Sequence, residues 1–374
     1  MSRMIVVLTG NTCFKIANFR ASLIRTLVDR GCEVVVLAPF DEYRNRLEEM
    51  GCRVYDLSMD RNGTSLPSEV ALLGRIFRFM RRVRPDIVFS YTIKNNIYSG
   101  LVCRVLRIPC IPNVTGLGPT FNSKGILNRL VRALYRPAFS HSSAVFFQNL
   151  DDQALFIEAG LVSDRQARLL PGSGVDLDRF KHQPVQYSDS DTTFLMVSRL
   201  LWDKGVGLYV EAARSLRKTF PNTRFQLLGP ADPSSRSAVP SSQIEEWVRE
   251  GIIEYCGQTD DVRPALASAD CIVLPSWYRE GTPRILLEAA AVGRPVITTD
   301  MPGCRDAVMD GVTGFLCPAR DVAAVISAMK RFIELEEKSR IAMGEAAREH
   351  AESVFDEQLV IDAYLDYVPL GDRA

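Results

Sequence analysis

Short apolar runs of strand length alternate with segments of helical length along the whole chain. The strand candidates are residues 4–9, 33–38, 53–57, 86–90, 110–114, 144–148, 193–198, 224–228, 252–256, 271–275 and 295–299. Many of these runs are nearly continuous in Val, Ile, Leu and Phe, as strands covered by helices on both faces require. The helix candidates are residues 17–30, 41–50, 67–83, 95–106, 125–139, 151–159, 205–219, 241–249, 283–292, 321–335 and 338–353. The alternation predicts an α/β fold with parallel sheets assembled from βαβ units.

The strand–helix pattern restarts near residue 193, after the polar stretch Gln183 to Thr192. A chain of 374 residues is too long for one ordinary core. We therefore predict two Rossmann-like, doubly wound domains, residues 1–182 and 193–355, facing across a cleft. Ligands of such sheets bind beyond the carboxyl ends of the strands. The last segment, 356–374, is expected to form a helix that packs back onto the first domain.

The composition, 47% hydrophobic and 24% charged, is that of an ordinary soluble globular protein. The nine cysteines are scattered and form no C-x-x-C pair, so we expect reduced thiols rather than disulfides or a zinc site. The first strand candidate begins at Met4 without a preceding signal peptide, and no apolar run approaches 18 residues. These features predict a cytoplasmic location.

Charge is distributed unevenly, although it cancels overall. Residues 1–175 carry 23 Lys and Arg against 14 Asp and Glu, whereas residues 176–374 carry 22 against 31. Two helix candidates hold many of the basic residues: Arg75, Arg78, Arg81, Arg82, Arg129, Arg132 and Arg136. Basic amphipathic helices bind anionic membrane surfaces. The alternative is that the apolar stripes face the sheets and the arginines are solvated. No nucleic-acid module is recognisable, so nucleic acid is not an expected partner.

Two cations follow the strand at 193–198. Arg199 and Lys204 would lie at its carboxyl end, just before a helix. A departing nucleoside diphosphate gains negative charge, and fixed cations there stabilise the transition state more than the ground state. The alternative is a solvated pair of loop charges.

The segment from Glu280 to Glu288 follows the strand at 271–275. Thr282 suits an N-cap and Pro283 the first helical position, so the helix would begin beside Gly281 with free N–H groups for a phosphate. Glu288 lies on an otherwise apolar face, where a carboxylate is costly unless it is paired. Its partner is predicted to be either two ribose hydroxyls or Arg284, four residues earlier.

These motifs, S-R-L-x-x-x-K-G and E-G-T-P-R-x-L-L-E-A-x-A-x-G-R-P-V-I, resemble the retaining glycosyltransferases of family four, which have the GT-B fold. Supporting stretches are Pro171 to Asp176, Phe180, Gly229, Ile253 to Gly257 and Asp310 to Leu316. The resemblance implies that Arg199 and Lys204 bind the donor diphosphate, without a metal or other cofactor. It also implies that Glu280 and Thr282 contact sugar and phosphate, that Glu288 binds the ribose, and that Gly281, Pro283 and Gly229 complete the donor site.

In the first half, the resemblance implies that Gly10 lies near the donor phosphate and Asn11 near the acceptor, although a strand-to-helix turn favours glycine for steric reasons alone. Many relatives have a histidine after the strand at 110–114, whereas this chain has none there. Thr115 or the Gly116 backbone is expected in its place. Lys94, with its neighbours Asn95 and Asn96, is a further acceptor candidate, the alternative being an ordinary helix cap.

The T-G-L-G stretch from Thr115 is similar to that of family members acting on lipid-linked diphospho-sugars. The predicted function is transfer of an N-acetylhexosamine from a UDP-sugar to a polyprenyl-diphosphate-linked sugar, in bacterial glycan or glycoprotein assembly. The enzyme would lie peripherally on the cytoplasmic face of the inner membrane, and some helix arginines would bind the acceptor's diphosphate instead of the membrane. Two alternatives are a nucleotide-sugar 2-epimerase, disfavoured by the shortage of histidines, and a catalytically silent membrane-binding relative.

Overall fold

A computed structural model describes residues 3–60, 65–117, 126–185, 191–233 and 235–368. Half of the predicted linker, 186–190, and the end of the T-G-L-G stretch lie outside these residues. The chain divides into two compact units, one formed by the residues up to Ser173 together with those from Glu357 onward, the other by Gly174–Asp356.

The first unit is built on seven parallel strands in the order β3-β2-β1-β4-β5-β6-β7. The strands are β1 (Ile5–Thr9), β2 (Glu33–Ala38), β3 (Arg53–Asp56), β4 (Ile87–Tyr91), β5 (Cys110–Val114), β6 (Val145–Phe147) and β7 (Ala167–Leu169). Its helices include α1 (Cys13–Phe19), α2 (Ala21–Asp29), α3 (Arg44–Glu49), α4 (Leu66–Val83), α5 (Ile93–Leu106), α6 (Ile126–Phe139) and α7 (Leu150–Glu158). Alternate residues of β1 pack into different apolar clusters, Val6 with α2 and Val7 with α4, so helices cover both faces.

The second unit has six parallel strands in the order β10-β9-β8-β11-β12-β13. The strands are β8 (Thr193–Val197), β9 (Arg224–Leu228), β10 (Glu254–Tyr255), β11 (Cys271–Leu274), β12 (Val296–Thr299) and β13 (Gly314–Cys317). Its helices are α8 (Val206–Leu216), α9 (Ser241–Arg249), α10 (Arg263–Ser268), α11 (Arg284–Ala291), α12 (Val322–Ile333) and α13 (Glu337–Val354). The predicted class, two Rossmann-like parallel-sheet domains, is confirmed.

The boundary between the units lies earlier than the predicted residue 182. The N–H of Val175 donates to the carbonyl of Phe355 (2.8 Å), and Phe180 is buried in the second core, so this segment belongs to the second unit. The final helix α14 (Glu357–Leu365) lies in the first unit. Its Tyr364 is fully buried and packs edge-on against Phe89 at a ring distance of 4.8 Å.

Several elements differ from the sequence prediction. The expected helix at 17–30 is two helices, because Arg20 leaves the helical conformation (φ −133°) and caps both of them. The strands β7 and β13 and the helix α10 were not predicted, since each is short and lacks a clear apolar period. All nine cysteines are free thiols, and eight of them are buried. No helix of the described residues is long and apolar enough to span a bilayer.

Candidate active site

Lys204 is a buried cation beyond the carboxyl end of β8. It closes a short 3-10 turn, Trp202–Lys204, and only 9% of the residue is exposed. Its ammonium donates to the carboxylate of Glu280 and lies 5.6 Å from the centre of the Tyr278 ring. An ammonium has three N–H donors, so the Glu280 contact leaves capacity for a phosphate.

Glu280 is held from two directions. Its carboxylate accepts from Lys204 and, at 3.3 Å, from the hydroxyl of Ser276, a buried residue that follows β11. The intervening backbone is fixed as well, because the N–H groups of Trp277 and Tyr278 donate to the Asp203 carbonyl (3.0 and 3.1 Å). The carboxyl ends of β8 and β11 therefore meet at this ion pair.

Two glycines allow the chain segments at this edge to approach closely. Gly205, at φ +84°, lies where a Cβ atom would be 2.1 Å from the Pro275 carbonyl oxygen. Gly229 follows β9 at φ +143°, and a Cβ there would be 1.9 Å from the carbonyl oxygen of Ser198. Neither position accommodates a side chain without moving backbone. Gly229 therefore shapes the edge by bringing together the segments that follow β8 and β9.

The helix α11 begins one residue later than predicted. Pro283, at φ −63° and ψ 119°, is the N-cap instead of Thr282 and supplies no side-chain capping bond. Proline disfavours helical conformation in the residue before it, so Thr282 is kept out of the helix. Gly281 and Thr282 are buried beside the helix start, where the first N–H groups lack intrahelical partners.

Glu288 lies in α11 and is 9% exposed. Its Oε1 accepts from the Nε of Arg284 at 2.8 Å, so the predicted ion-pair alternative is present. No described residue donates a hydrogen bond to Oε2. Burial raises the pKa of Glu288 above its ordinary value, and Arg284 partly opposes that shift. One carboxylate oxygen therefore remains for a further donor.

Arg199 is placed differently from Lys204. Its guanidinium donates to Asp232 at 2.9 Å, and half of the side chain is exposed. The two cations at the carboxyl end of β8 thus have different carboxylate partners. A half-exposed arginine can turn toward a phosphate at small cost, because exposed ion pairs contribute little.

In the first unit, Gly10 and Asn11 follow β1. The Gly10 N–H donates to the Leu37 carbonyl at 3.2 Å, which fixes the turn. The Oδ1 of Asn11 is buried without a hydrogen-bond partner in the described part of the chain. Beyond β5, Thr115 and Gly116 are half-buried, and Gly116 has a φ of +109°.

Lys94 forms hydrogen bonds within its own unit. It donates to Glu69 of α4 at 2.6 Å and to the carbonyl of Asp60 at 2.7 Å. Tyr98 donates to the other oxygen of Glu69 at 2.5 Å. These bonds join α4 to α5, so Lys94 is a structural crosslink here rather than the simple helix cap considered above. Asn96 is also structural, donating to the Asn113 carbonyl at 2.8 Å.

The basic helix α4 combines a buried face with an exposed one. Its buried residues, Leu72, Ile76, Phe79 and Met80, face the sheet as the solvated-arginine alternative predicted. Its exposed basic residues are Arg75, Arg78, Arg81 and Arg82. None of these four pairs with a carboxylate within the described ranges, and Arg75 and Arg78 donate only to backbone carbonyls. Two apolar residues of α4, Leu66 (73% exposed) and Val70 (67%), also face solvent.

The helix α6 repeats this arrangement on a smaller scale. Arg129 is exposed and Arg132 is half-buried, while Leu130 between them is 48% exposed. Tyr135 and Phe139 are fully buried. Both basic helices therefore bury one apolar face and leave a mixed apolar and basic face to solvent.

Sequence reasoning missed Ser276 and Tyr278 at the Lys204–Glu280 pair. The signal for Ser276 was its position, a small polar residue directly after a fully apolar strand and Pro275. Among the described residues, no group of three or more His, Cys, Asp and Glu side chains is arranged to hold a metal ion.

Comparison with known proteins places both halves in described families. Residues 16–172 match the model "Glycosyl transferase 4-like domain", and residues 191–334 match "Glycosyl transferases group 1". A solved structure of Anabaena HepE, in complex with UDP and glucose, superposes with a TM-score of 0.80 at 18% identity, covering 98% of this chain and 99% of that one. The GT-B fold predicted from the motifs is thereby confirmed.

Two curated relatives extend over most of the chain. The N,N'-diacetylbacillosaminyl-diphospho-undecaprenol alpha-1,3-N-acetylgalactosaminyltransferase of Campylobacter jejuni is 27% identical, with 94% of each chain covered. The UDP-Gal:alpha-D-GlcNAc-diphosphoundecaprenol alpha-1,3-galactosyltransferase of Escherichia coli is 23% identical, with 71% of each covered. The chain is therefore an enzyme of the family-four glycosyltransferases, with a glycosyl transferase 4-like domain followed by a group 1 domain.

Proposed function

We propose that the enzyme is a retaining glycosyltransferase that moves an N-acetylhexosamine from a UDP-sugar to a polyprenyl-diphosphate-linked sugar in bacterial glycan or glycoprotein assembly. Both relatives are named for a diphospho-undecaprenol-linked acceptor, and one of them is also named for a UDP-sugar donor. The observation that carries the proposal is the buried Lys204–Glu280 pair between the carboxyl ends of β8 and β11.

In the proposed donor site, the negative charge that develops on the leaving UDP is neutralised by side chains and helix N–H groups. Lys204 and Arg199 supply the cations, and the start of α11, next to Gly281, Thr282 and Pro283, supplies N–H donors. These groups stabilise the diphosphate without a metal. Glu288 accepts from the ribose through Oε2.

We assign Glu280 the role of binding the donor sugar and not that of a covalent nucleophile. Its carboxylate is already engaged by Lys204 and by the Ser276 hydroxyl. Both contacts lower the nucleophilicity of the carboxylate and fix its orientation, which suits a group that accepts from sugar hydroxyls. We assign Gly10 to contact with the donor phosphate and Asn11 to contact with the acceptor. Thr115 and the backbone of Gly116 are also assigned to the acceptor.

Donor binding tests this proposal directly. Thermal denaturation with a panel of UDP-, GDP- and ADP-sugars should show stabilisation by UDP-sugars, because a ligand that binds only the folded state raises Tm. Incubation with the preferred UDP-sugar alone should release UDP slowly without forming a C2 epimer. Stabilisation by no nucleotide sugar would contradict the proposal, and epimer formation would favour the epimerase alternative.

We further propose that the enzyme associates peripherally with the anionic cytoplasmic face of the membrane through α4 and α6. The arginines of α4, which pair with no carboxylate of the described residues, and the exposed Leu66 and Val70 are the contacts expected of an interfacial helix. The Arg78→Glu/Arg81→Glu variant should bind vesicles containing phosphatidylglycerol at least ~30-fold more weakly, since each basic residue contributes about 1 kcal/mol.

The matched control is Arg25→Glu/Arg30→Glu, which makes the same charge change at α2 and the residue after it. Both arginines are exposed, and α2 packs on the opposite face of the sheet from α4. This variant should bind vesicles nearly as the wild type does in a flotation assay. Equal losses in the two variants would mean that net charge, and not the α4 surface, governs binding.

A further inference from the structure

Three buried polar atoms that have no hydrogen-bond partner among the described residues lie together at the carboxyl edge of the first sheet. They are the Nε of Arg20, the hydroxyl of Tyr91 and the Oδ1 of Asn113. Tyr91 and Asn113 are paired neighbours near the ends of β4 and β5. Buried polar atoms are almost always hydrogen-bonded in native proteins, so several unpaired ones in one place call for an explanation.

Arg20 is the charged residue of this cluster. The residue is only 4% exposed, and its guanidinium carbon lies 4.7 Å from the centre of the Tyr91 ring and 5.8 Å from that of Tyr364. Its Nη1 donates to the neighbouring Phe19 carbonyl (3.1 Å), and no carboxylate in the described ranges pairs with it. Removing an arginine from water costs several kcal/mol, more than two cation–π contacts return.

A structural role does not account for the guanidinium. The backbone of Arg20 caps both α1 and α2, receiving the N–H of Ile24 (2.9 Å) and donating to Ile16 (3.0 Å). Any residue supplies those two bonds. The side chain, by contrast, is held in place by aromatic rings, and no anionic group of the described residues neutralises it.

The neighbouring groups define which anion fits. Burial raises the pKa of Tyr91 well above its ordinary value, so its hydroxyl stays protonated and can donate. Tyr364 lies nearby, but it gives Tyr91 no hydrogen bond of normal geometry and instead receives the Nδ2 of Asn113 at 2.7 Å. That bond uses the Nδ2 of Asn113 and leaves its buried Oδ1 available as an acceptor. Arg20 and Tyr91 thus offer donors for an anion, while Asn113 offers an acceptor for a hydroxyl.

The backbone beside Tyr91 is strained. Thr92 has φ +74° and ψ 154°, a conformation that a β-branched residue rarely adopts. Such strain is concentrated at ligand-binding sites. Here it ends β4 at Tyr91 and starts α5 immediately, which fixes the position of the Tyr91 side chain.

We propose that Arg20, Tyr91 and Asn113 form the site that binds a glycosyl phosphate group of the acceptor, with Arg20 and Tyr91 on the phosphate and Asn113 on a sugar hydroxyl. This assignment rests on the proposed function and specifies how its acceptor is recognised. It differs from the basic surface of α4, whose arginines are exposed and suit a membrane surface. Charged hydrogen bonds contribute about 1.5–3 kcal/mol each, so losing Arg20 should weaken phosphate binding roughly 10- to 100-fold.

Calorimetric titration of the full chain tests the site, with UDP saturating the donor half so that added phosphate reports the acceptor half alone. The probes are N-acetylglucosamine 1-phosphate, inorganic pyrophosphate and galacturonate. The wild type should bind the sugar phosphate more tightly than pyrophosphate, because only the former has hydroxyls for Asn113. The Arg20→Met variant should bind both phosphates roughly 10- to 100-fold more weakly than the wild type. Its affinity for UDP should be unchanged.

Thermal stability separates a binding role from a structural one. Arg20→Met should have an unchanged or higher Tm, because it removes an uncompensated buried charge. A lower Tm with unchanged phosphate affinity would overturn the proposal, as would wild-type protein that binds UDP but neither phosphate. Arg20-dependent binding of galacturonate in preference to the phosphates would overturn the ligand assignment.

The Tyr91→Phe variant provides a second test that does not disturb packing. It should weaken phosphate binding several-fold, and phosphate affinity equal to that of the wild type would contradict the site. If Arg20→Met fails to fold, this variant alone decides the outcome. Failure of the wild type to bind UDP would count against the proposed donor function instead, so the two failures are distinguishable.

Discussion

Replacing Lys204 with alanine is expected to lower kcat by about 10²- to 10³-fold, the usual effect of removing one preorganised group that stabilises developing negative charge. Lys204 is buried, and Gly205 brings its turn against Pro275, so no other cation can readily take its place. The donor KM should change much less, because the interaction strengthens as the diphosphate leaves. Steady-state kinetics with saturating acceptor measure both parameters.

Lys330→Ala is the matched control for this variant. Lys330 is in the same unit, is half-exposed and forms a long, 3.6 Å pair with Glu334. Its loss should leave kcat unchanged. Because Lys204 also orients Glu280, the Lys204→Ala/Glu280→Gln double variant should be little worse than Lys204→Ala alone. A fall of only a few-fold in Lys204→Ala would contradict its assignment to the leaving group.

Glu288→Ala is expected to raise the donor KM by roughly 10- to 100-fold with a smaller change in kcat, because one or two charged hydrogen bonds to the ribose are lost. The raised pKa of Glu288 adds a pH dependence. Donor affinity should decline as the pH falls through a range above the ordinary glutamate pKa, since the carboxylate then becomes protonated. Glu288→Gln should lack this decline.

Arg284→Ala distinguishes the ribose role from a purely structural ion pair. Arg284 holds one oxygen of Glu288, so its loss should raise the donor KM less than Glu288→Ala does. If Glu288 served only to pair with Arg284, both variants would lose the same stability and keep the donor KM of the wild type. Unfolding by urea and donor kinetics on the two variants decide between these cases.

The sequence predicts the fold of both units closely because parallel strands covered by helices must be apolar throughout. The largely apolar run at β2, for example, matches the observed strand at both ends. The positions of Lys204 and Glu280 at the edge of the second sheet were predictable for a related reason. Gly205 and Gly229 occupy positions where only glycine fits, and Lys204 and Glu280 follow strands whose carboxyl ends meet at one edge.

Other features depend on contacts that no local pattern reports. The pairing of Lys94 with Glu69 joins residues far apart in sequence, so an acceptor role and a crosslink look identical in the sequence. Arg20 lies in the middle of what reads as one continuous helix, and its burial becomes visible only when Tyr364, from the end of the chain, packs beside it. The exposure of Leu66 and Val70 likewise depends on how α4 is rotated on the sheet.

The central claim, transfer from a UDP-sugar to a polyprenyl-diphosphate-linked sugar, is tested most directly by assaying product formation on synthetic acceptors. Purified enzyme would be incubated with UDP-N-acetylhexosamine and either a short-chain polyprenyl-diphospho-sugar or the same sugar without the lipid diphosphate. We expect mass spectrometry to show addition of one N-acetylhexosamine to the diphosphate acceptor only, with one UDP released per product and a retained anomeric configuration by NMR. Transfer to both acceptors alike, an inverted product, or donor consumption that yields only an epimer would contradict the account.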